Sequence, residues 1–315
     1  IYSVDKRLIV SIMGPTGVGK TDLAIELSQQ IPIQIISVDS VQIYKHMNIG
    51  SGKPSPDTLN EFPHDLINII EPSDGYSTAK FQNDCKHSIK DAFHSDKLPF
   101  LVGGTMMYFD HLINGISKLP QVDADIRADV EEEFKQIGSE EMHNYLKRID
   151  LAASLKIHKN DSQRIKRAIE VYKSTGKEFS KWQAEQRKET SKLVKNSKVV
   201  QLAIKPKDKE LHRESIAKRF KEMIEIGLID EVEKLLNMPK VDKNSQSMKS
   251  VGYRQVCEFL EGDSSLDVMI EKAINSTRQL AKRQMTWINS WEKLIILEKN
   301  SSLTSSVNKL ILENI

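Results

Sequence analysis

Residues Gly14 to Thr21 read GPTGVGKT and match the spacing G-x-x-x-x-G-K-[ST] through Gly14, Gly19, Lys20 and Thr21, with Pro15, Thr16, Gly17 and Val18 between them. Set between an apolar strand and an amphipathic helix, such a P-loop aims successive backbone N–H groups and a helix N-terminus at phosphate oxygens. Lys20 adds a mobile positive charge, and Thr21 a hydroxyl ligand for Mg²⁺. The ligand should carry two or more linked phosphates. The motif alone does not choose the reaction that follows.

Most P-loop proteins that split a nucleoside triphosphate place an acidic residue at the end of another strand to organise Mg²⁺ and water. Here the apolar run Pro99 to Val102 ends in Gly103-Gly104-Thr105, whereas Ile33 to Val38 ends in Asp39. A strand-end carboxylate of this kind serves a magnesium ion or acts as a base on an acceptor; it also suits a turn with Ser40. Arg219 lies beside the apolar stripe Ile216, Phe220 and Met223 of a helical segment, a boundary from which a guanidinium reaches a pyrophosphate bidentately. Arg213 is a weaker candidate of the same kind.

The elements that must position these groups follow from periodicity. Short apolar runs bounded by turn residues predict buried parallel strands at Leu8–Met13, Ile33–Val38, Leu66–Ile70, Pro99–Val102, Val199–Ile204 and Leu294–Leu297. Helical patterns at Thr21–Gln30 and Thr78–Phe93 supply a β-α-β rhythm. The expected fold class is α/β, a P-loop NTPase-like parallel sheet flanked by helices, with an inserted all-helical domain. Residues 119–197 are the insertion, because their charge-rich pattern (Ile126, Val130, Phe134, Ile137, then Ile165, Ala168, Ile169, Tyr172) shows helical periodicity and no convincing strand. Residues 1–118 and 198–315 form the core. Two further helices are expected at about Lys209–Leu236 and Val268–Trp291, separated by a Lys, Ser and Gln-rich link and a VGYR segment.

Composition narrows the class. The chain has 315 residues, 39 % hydrophobic and 29 % charged, with 46 basic against 44 acidic residues for a formal charge of +2. Any nucleic-acid-binding surface must therefore be local. Two cysteines, Cys85 and Cys257, are too few for a disulfide framework or a cysteine zinc site and read as free thiols in a reducing compartment. No apolar stretch is long enough to cross a bilayer, and Lys6 and Arg7 lead straight into a strand. The cytoplasm, with no membrane partner, is the expectation.

From Asp39 onward the chain resembles the tRNA dimethylallyltransferase (tRNA isopentenyltransferase) family. The likeness is carried by SVDSVQIYKHMNIGSGKP (Ser37 to Pro54), LVGGTMMYF (Leu101 to Phe109), DSQRIKRAIEV (Asp161 to Val171), AKRFKEMIEIGLIDEV (Ala217 to Val232), VGYR (Val251 to Arg254) and TRQLAKRQMTW (Thr277 to Trp287), in that order. Gly17-Val18 stands where the family commonly has Ala-Ser. No Cys/His spacing corresponds to the C-terminal zinc finger of many eukaryotic relatives, so the likeness is to the bacterial type.

The resemblance implies transfer of a dimethylallyl group from dimethylallyl diphosphate to N6 of adenine 37, beside the anticodon, in tRNAs reading codons that begin with U. It implies that the P-loop holds the leaving diphosphate with Mg²⁺, that Asp39 is the general base, and that Thr105 and Arg219 contact the diphosphate. It further implies tRNA contacts at Asp39, Ser40, Val41 and Gln42; at Arg127; at Gln163, Arg164, Ile165, Lys166 and Arg167; at Lys249, Ser250, Val251, Gly252, Tyr253 and Arg254; and at Thr277, Arg278, Gln279, Leu280, Ala281, Lys282, Arg283 and Gln284. The insertion would embrace the anticodon stem-loop, and the enzyme would act as a monomer. A small-molecule or nucleoside kinase would use the same P-loop and treat the insertion as a lid. A nucleic-acid-binding NTPase is a second alternative. Neither accounts as well for the ordered motifs after residue 200.

Overall fold

The computed structural model describes residues 7–115, 120–185 and 192–314. Six strands, β1 (Arg7–Met13), β2 (Ile33–Val38), β3 (His64–Asp65), β4 (Leu98–Gly103), β5 (Ser197–Lys205) and β6 (Ile295–Glu298), form one sheet in the order β3-β2-β4-β1-β5-β6. Every pairing in it is parallel. The pleat sends alternate residues of β1 to opposite faces. Leu8, Val10 and Ile12 join Leu23, Ala24 and Leu27 of the Lys20–Ser28 helix and Val307 and Ile311 of the Leu303–Leu312 helix. Ile9 and Met13 join the opposite core, with Phe81, Cys85 and Ile89 of the Thr78–His94 helix. Both faces are covered, as a parallel sheet requires.

The chain divides into two compact units, residues 1–113 with 191–315, and residues 114–190. The Lys192–Lys195 helix, assigned to the insertion by sequence, belongs with the first unit, and Val194 is part of its core. The sequence boundary at residue 119 falls outside the described residues. In the second unit the Ala124–Ile149 helix kinks at Gly138, which leaves Ile137 exposed, not on the buried face its spacing predicts. Val130, Met142 and Leu146 pack there against Ile165, Ala168 and Ile169 of the Ser162–Thr175 helix. Asp150 is buried; its Oδ1 accepts from the Ala153 amide (2.9 Å) and the Ser180 hydroxyl (2.7 Å), and its Oδ2 from the Ser180 amide (2.7 Å).

Two expectations fail for local backbone reasons. Leu66–Ile70 is not a strand: Leu66 (φ 62°) and Asn68 (φ 58°) adopt left-handed backbone, so the apolar run turns, and only Ile70 makes an isolated parallel bridge, to Tyr44. The Lys209–Leu236 pattern is two helices, Lys209–Glu225 and Leu228–Leu236, broken at Gly227. Among the described residues, no helix is long and apolar enough to cross a membrane.

Candidate active site

The carboxyl ends of β1, β4 and β2 lie side by side, which is where ligands bind in open parallel sheets. Each end carries one of the groups singled out by sequence: the P-loop after β1, Gly104-Thr105 after β4 and Asp39 after β2. Gly17 (φ 78°) and Gly19 (φ 92°) supply the left-handed turns that let the P-loop coil into the start of the Lys20–Ser28 helix. Lys20 folds back over this loop, its Nζ donating to the carbonyls of Gly14 (2.9 Å) and Pro15 (2.8 Å). Burial lowers its pKa to about 8; the Asp39 carboxylate opposes that shift and the Arg219 guanidinium adds to it. An arriving anion would favour the charged form.

Asp39 makes a turn and also faces the cavity. Its Oδ1 accepts the amides of Val41 (2.8 Å) and Gln42 (3.2 Å), closing the turn expected with Ser40, while the residue lines the cavity beside the P-loop. Thr105 binds across from β4: its Oγ1 accepts the Ser40 amide at 3.1 Å, and its own amide donates to Val38 O at 3.2 Å. Arg219 reaches the same space from the Lys209–Glu225 helix, on which Ile216 and Phe220 are buried. P-loop, Asp39 and Arg219 thus converge, with Thr105 beside them.

Two adjoining cavities meet at Thr16, Asp39, Gly104 and Arg219. The larger, about 680 Å³, is walled by Lys20, Thr21, Lys53, Lys218, Arg219 and Lys299. The smaller, about 340 Å³, is mostly apolar, with Met106, Ile216, Phe220, Met223, Leu280 and Trp287 in its walls. One chamber suits a polyanion and the other a hydrocarbon and a planar base, with the Asp39 carboxylate at their junction.

The remaining sequence-selected residues separate by burial. Ser40, Val41, Val251, Gly252, Thr277, Leu280 and Arg283 line the apolar cavity, and Gln42 the polar one. Lys249, Arg254, Gln279 and Lys282 are exposed, and Ser250 is half-buried. Arg278 is half-buried and donates to Arg213 O, while the Arg213 side chain points to Glu210 (3.6 Å) and is absent from both cavity linings. In the second unit Arg127, Gln163 and Arg164 are exposed, Lys166 pairs with Glu131 (2.6 Å), and Arg167 donates to Pro120 O (3.0 Å) and Glu170 (3.4 Å).

Four selected side chains are instead inside the protein. Ile165 and Ala281 fill cores; Tyr253 is buried with its hydroxyl on Glu231; and Gln284 bridges the Thr16 amide (2.9 Å) and the Gly104 carbonyl (2.8 Å). Helical spacing makes every third or fourth residue of a basic segment a core residue, so Ile165, Tyr253 and Ala281 do not form an outer surface, and Gln284 faces the two cavities that it lines.

Sequence reasoning missed four groups. The His212 ring bonds Thr16 O at 2.9 Å, and the Lys299 ammonium stands over Gly19, 2.9 Å from where a Cβ would be. Neither has a local signal. Lys53 and Glu231 lie within segments already selected, yet only tertiary structure shows what they touch. Lys53 Nζ donates to Tyr44 O, Asn68 Oδ1 (2.7 Å) and Asn48 Oδ1 (3.3 Å), and burial lowers its pKa to about 8.

The chain is similar to known proteins over most of its length. Residues 42–291 match the family model described as IPP transferase. The chain is 43 % identical over 294 residues to tRNA dimethylallyltransferase 2 of Hahella chejuensis (strain KCTC 2396), covering 90 % of this chain and 89 % of the relative. Among solved structures it resembles the full-length tRNA isopentenylpyrophosphate transferase of Bacillus halodurans, with a TM-score of 0.70 and 29 % identity over 98 % of this chain and 96 % of that one. A eukaryotic dimethylallyltransferase acting on tRNA gives a TM-score of 0.77 at 25 % identity, over 98 % of this chain and 79 % of that one. With the motifs in order and the family match spanning most of its length, the chain belongs to the IPP transferase family.

Proposed function

We propose that this protein is a tRNA dimethylallyltransferase, which moves the dimethylallyl group of dimethylallyl diphosphate to N6 of adenine 37 in tRNAs reading codons that begin with U. The products are N6-dimethylallyladenosine and diphosphate. The observation that carries the reading is the junction of a cationic and an apolar cavity at Asp39. A kinase needs the first chamber; a prenyl transferase needs both.

In the reaction the bond from C1 of the donor to the diphosphate oxygen breaks, and its electron pair leaves with the diphosphate. The allylic carbon takes the lone pair of N6, whose proton then becomes strongly acidic and passes to the Asp39 carboxylate. The P-loop amides, Lys20 and Arg219 stabilise charge where it accumulates, on the leaving group. Thr105, held beside Asp39 through Ser40, aligns donor and acceptor. Thr21 lines the polar cavity, an oxygen donor that suits Mg²⁺, which takes most of its ligands from phosphates and water. Bound there, Mg²⁺ would neutralise part of the diphosphate charge.

Adenine 37 must leave its stack to reach Asp39, at a cost of a few kcal/mol offset by backbone contacts. Lys249, Arg254, Gln279, Lys282 and Arg283 in the first unit, and Arg127, Gln163 and Arg164 in the second, are the exposed groups that supply those contacts. The helical second unit would take the anticodon stem-loop. The cytoplasm, where tRNA is met, is the proposed compartment, and a monomer the proposed form. The test is incubation of the protein with unmodified tRNA, Mg²⁺ and either labelled dimethylallyl diphosphate or labelled ATP. Label from the prenyl donor in tRNA is expected; phosphate release or transfer from ATP without prenylation would reject the reading.

A further inference from the structure

Glu231, in the first turn of the Leu228–Leu236 helix, is half-buried and turns its carboxylate into main chain. Oε2 accepts the amides of Asn48 (2.8 Å) and Ile49 (2.8 Å). Oε1 accepts those of Ile49 (3.1 Å) and Gly50 (3.2 Å), and also the Tyr253 hydroxyl (2.7 Å). That hydroxyl in turn accepts the Ser51 amide at 3.1 Å. Consecutive amides converging on one anion form a nest, with the protein's own carboxylate in the place a bound anion would take. Tyr253 is fully buried, and burial with the neighbouring Glu231 holds its hydroxyl protonated.

The segment so held walls both cavities, Gly50 and Ser51 the apolar one and Ser51, Gly52 and Lys53 the polar one. Its two glycines are points of close approach. A Cβ on Gly50 would come within 2.7 Å of the Tyr253 ring, and one on Gly52 (φ 61°) within 1.8 Å of Arg219 Nη2. The Glu231 and Tyr253 side therefore fixes the position of a backbone on which the Arg219 guanidinium rests. Lys53 leaves from the end of the same segment, and Glu231 supports its charge.

We propose that Glu231 is a positioning residue for the transfer: by fixing the Asn48–Gly52 main chain it sets Arg219 against the diphosphate. The proposal rests on the assignment of Arg219 to the diphosphate made above, and the test separates the two. Steady-state kinetics with dimethylallyl diphosphate and unmodified tRNA are compared for Glu231→Gln, Arg219→Ala and the double variant. Glu231→Gln is expected to lower kcat/KM for the donor by about 10- to 100-fold, with KM for tRNA nearly unchanged. In that background Arg219→Ala should cost less than about a tenth of what it costs in the parent enzyme, because the guanidinium has already lost its seat. Losses that multiply independently overturn the proposal. An Arg219→Ala enzyme with parental kinetics overturns the earlier assignment of Arg219 instead. Tyr253→Phe, which deletes one donor to Glu231 and the acceptor of Ser51, keeps the test available if Glu231→Gln does not fold. About a three- to tenfold loss with the same non-additivity toward Arg219→Ala is expected, and additivity there likewise overturns the proposal.

Discussion

The strand-end site of the first unit and the Ser162–Thr175 helix of the second use the same cationic residue types in opposite ways. Of the five cations that line the P-loop cavity, Lys218 meets Glu222 (3.8 Å), whereas Lys20, Lys53, Arg219 and Lys299 form no ion pair with a carboxylate among the described residues. On the Ser162–Thr175 helix Arg164, Lys166, Arg167 and Lys173 each face an acid, respectively Asp161, Glu131, Glu170 and Glu133. Unpartnered cations repel one another and lose solvation, a cost tolerated where an anionic ligand is to arrive. Lys166 and Lys173 tie their helix to the Ala124–Ile149 helix, whereas Arg167 meets an acid of its own helix and Arg164 stays largely exposed beside its helix cap. A basic motif in a sequence therefore does not say whether its charge remains available to a partner.

The largest effect expected from this contrast is at Asp39. Asp39→Asn keeps an oxygen for the Val41 and Gln42 amides but removes the base, so single-turnover transfer should slow by about 10³-fold while donor binding stays near parental. Parental turnover would remove Asp39 from the chemistry. Next is Lys20→Met, expected to weaken donor binding by about 100-fold, read by calorimetry. The parent enzyme should also show a pH signature. Diphosphate binds the protonated lysine, so affinity should be flat below about 8 and fall roughly tenfold per pH unit above it, with proton uptake on binding near the midpoint. Affinity independent of pH up to 10 would contradict this.

In the second unit, Asp150→Ala strips three donors of their acceptor and should destabilise that unit by about 2 kcal/mol in denaturant titration, leaving donor affinity unchanged. The smallest effects bear directly on the contrast. Replacing exposed Lys282 and Arg283 together by alanine should weaken tRNA binding about tenfold and flatten its salt dependence. Lys166→Ala, which removes a charge already spent on Glu131, should cost about twofold or less. The reverse ranking, measured by filter binding at two salt concentrations, would overturn the distinction between free and paired charge.

What could be read from the sequence follows the range of the interactions involved. The P-loop, Asp39 and Gly104-Thr105 are local signals at strand ends, and five of the six expected strands form within a residue or two of their expected limits. Leu66–Ile70 failed because apolar composition does not report two left-handed residues, and Lys209–Leu236 because the glycine at 227 breaks a pattern that otherwise continues. Within the segments expected to meet tRNA, the motif spans were visible but the inward turn of Ile165, Tyr253, Ala281 and Gln284 was not, since it depends on what each helix packs against. Glu231 and Lys53 were invisible as site residues for the same reason: their partners lie far away along the chain or in a turn only the fold creates.

The bridge made by Gln284 bears on chemical ageing. Its carboxamide accepts from Thr16 and donates to Gly104 at once, a pairing that a carboxylate cannot complete. Hydrolysis of that single group to an acid would delete the donor and set a permanent negative charge on the wall of the cation-lined cavity. Gln284 lines both cavities, so the site's durability over the life of the molecule depends on one neutral side chain that meets whatever fills them.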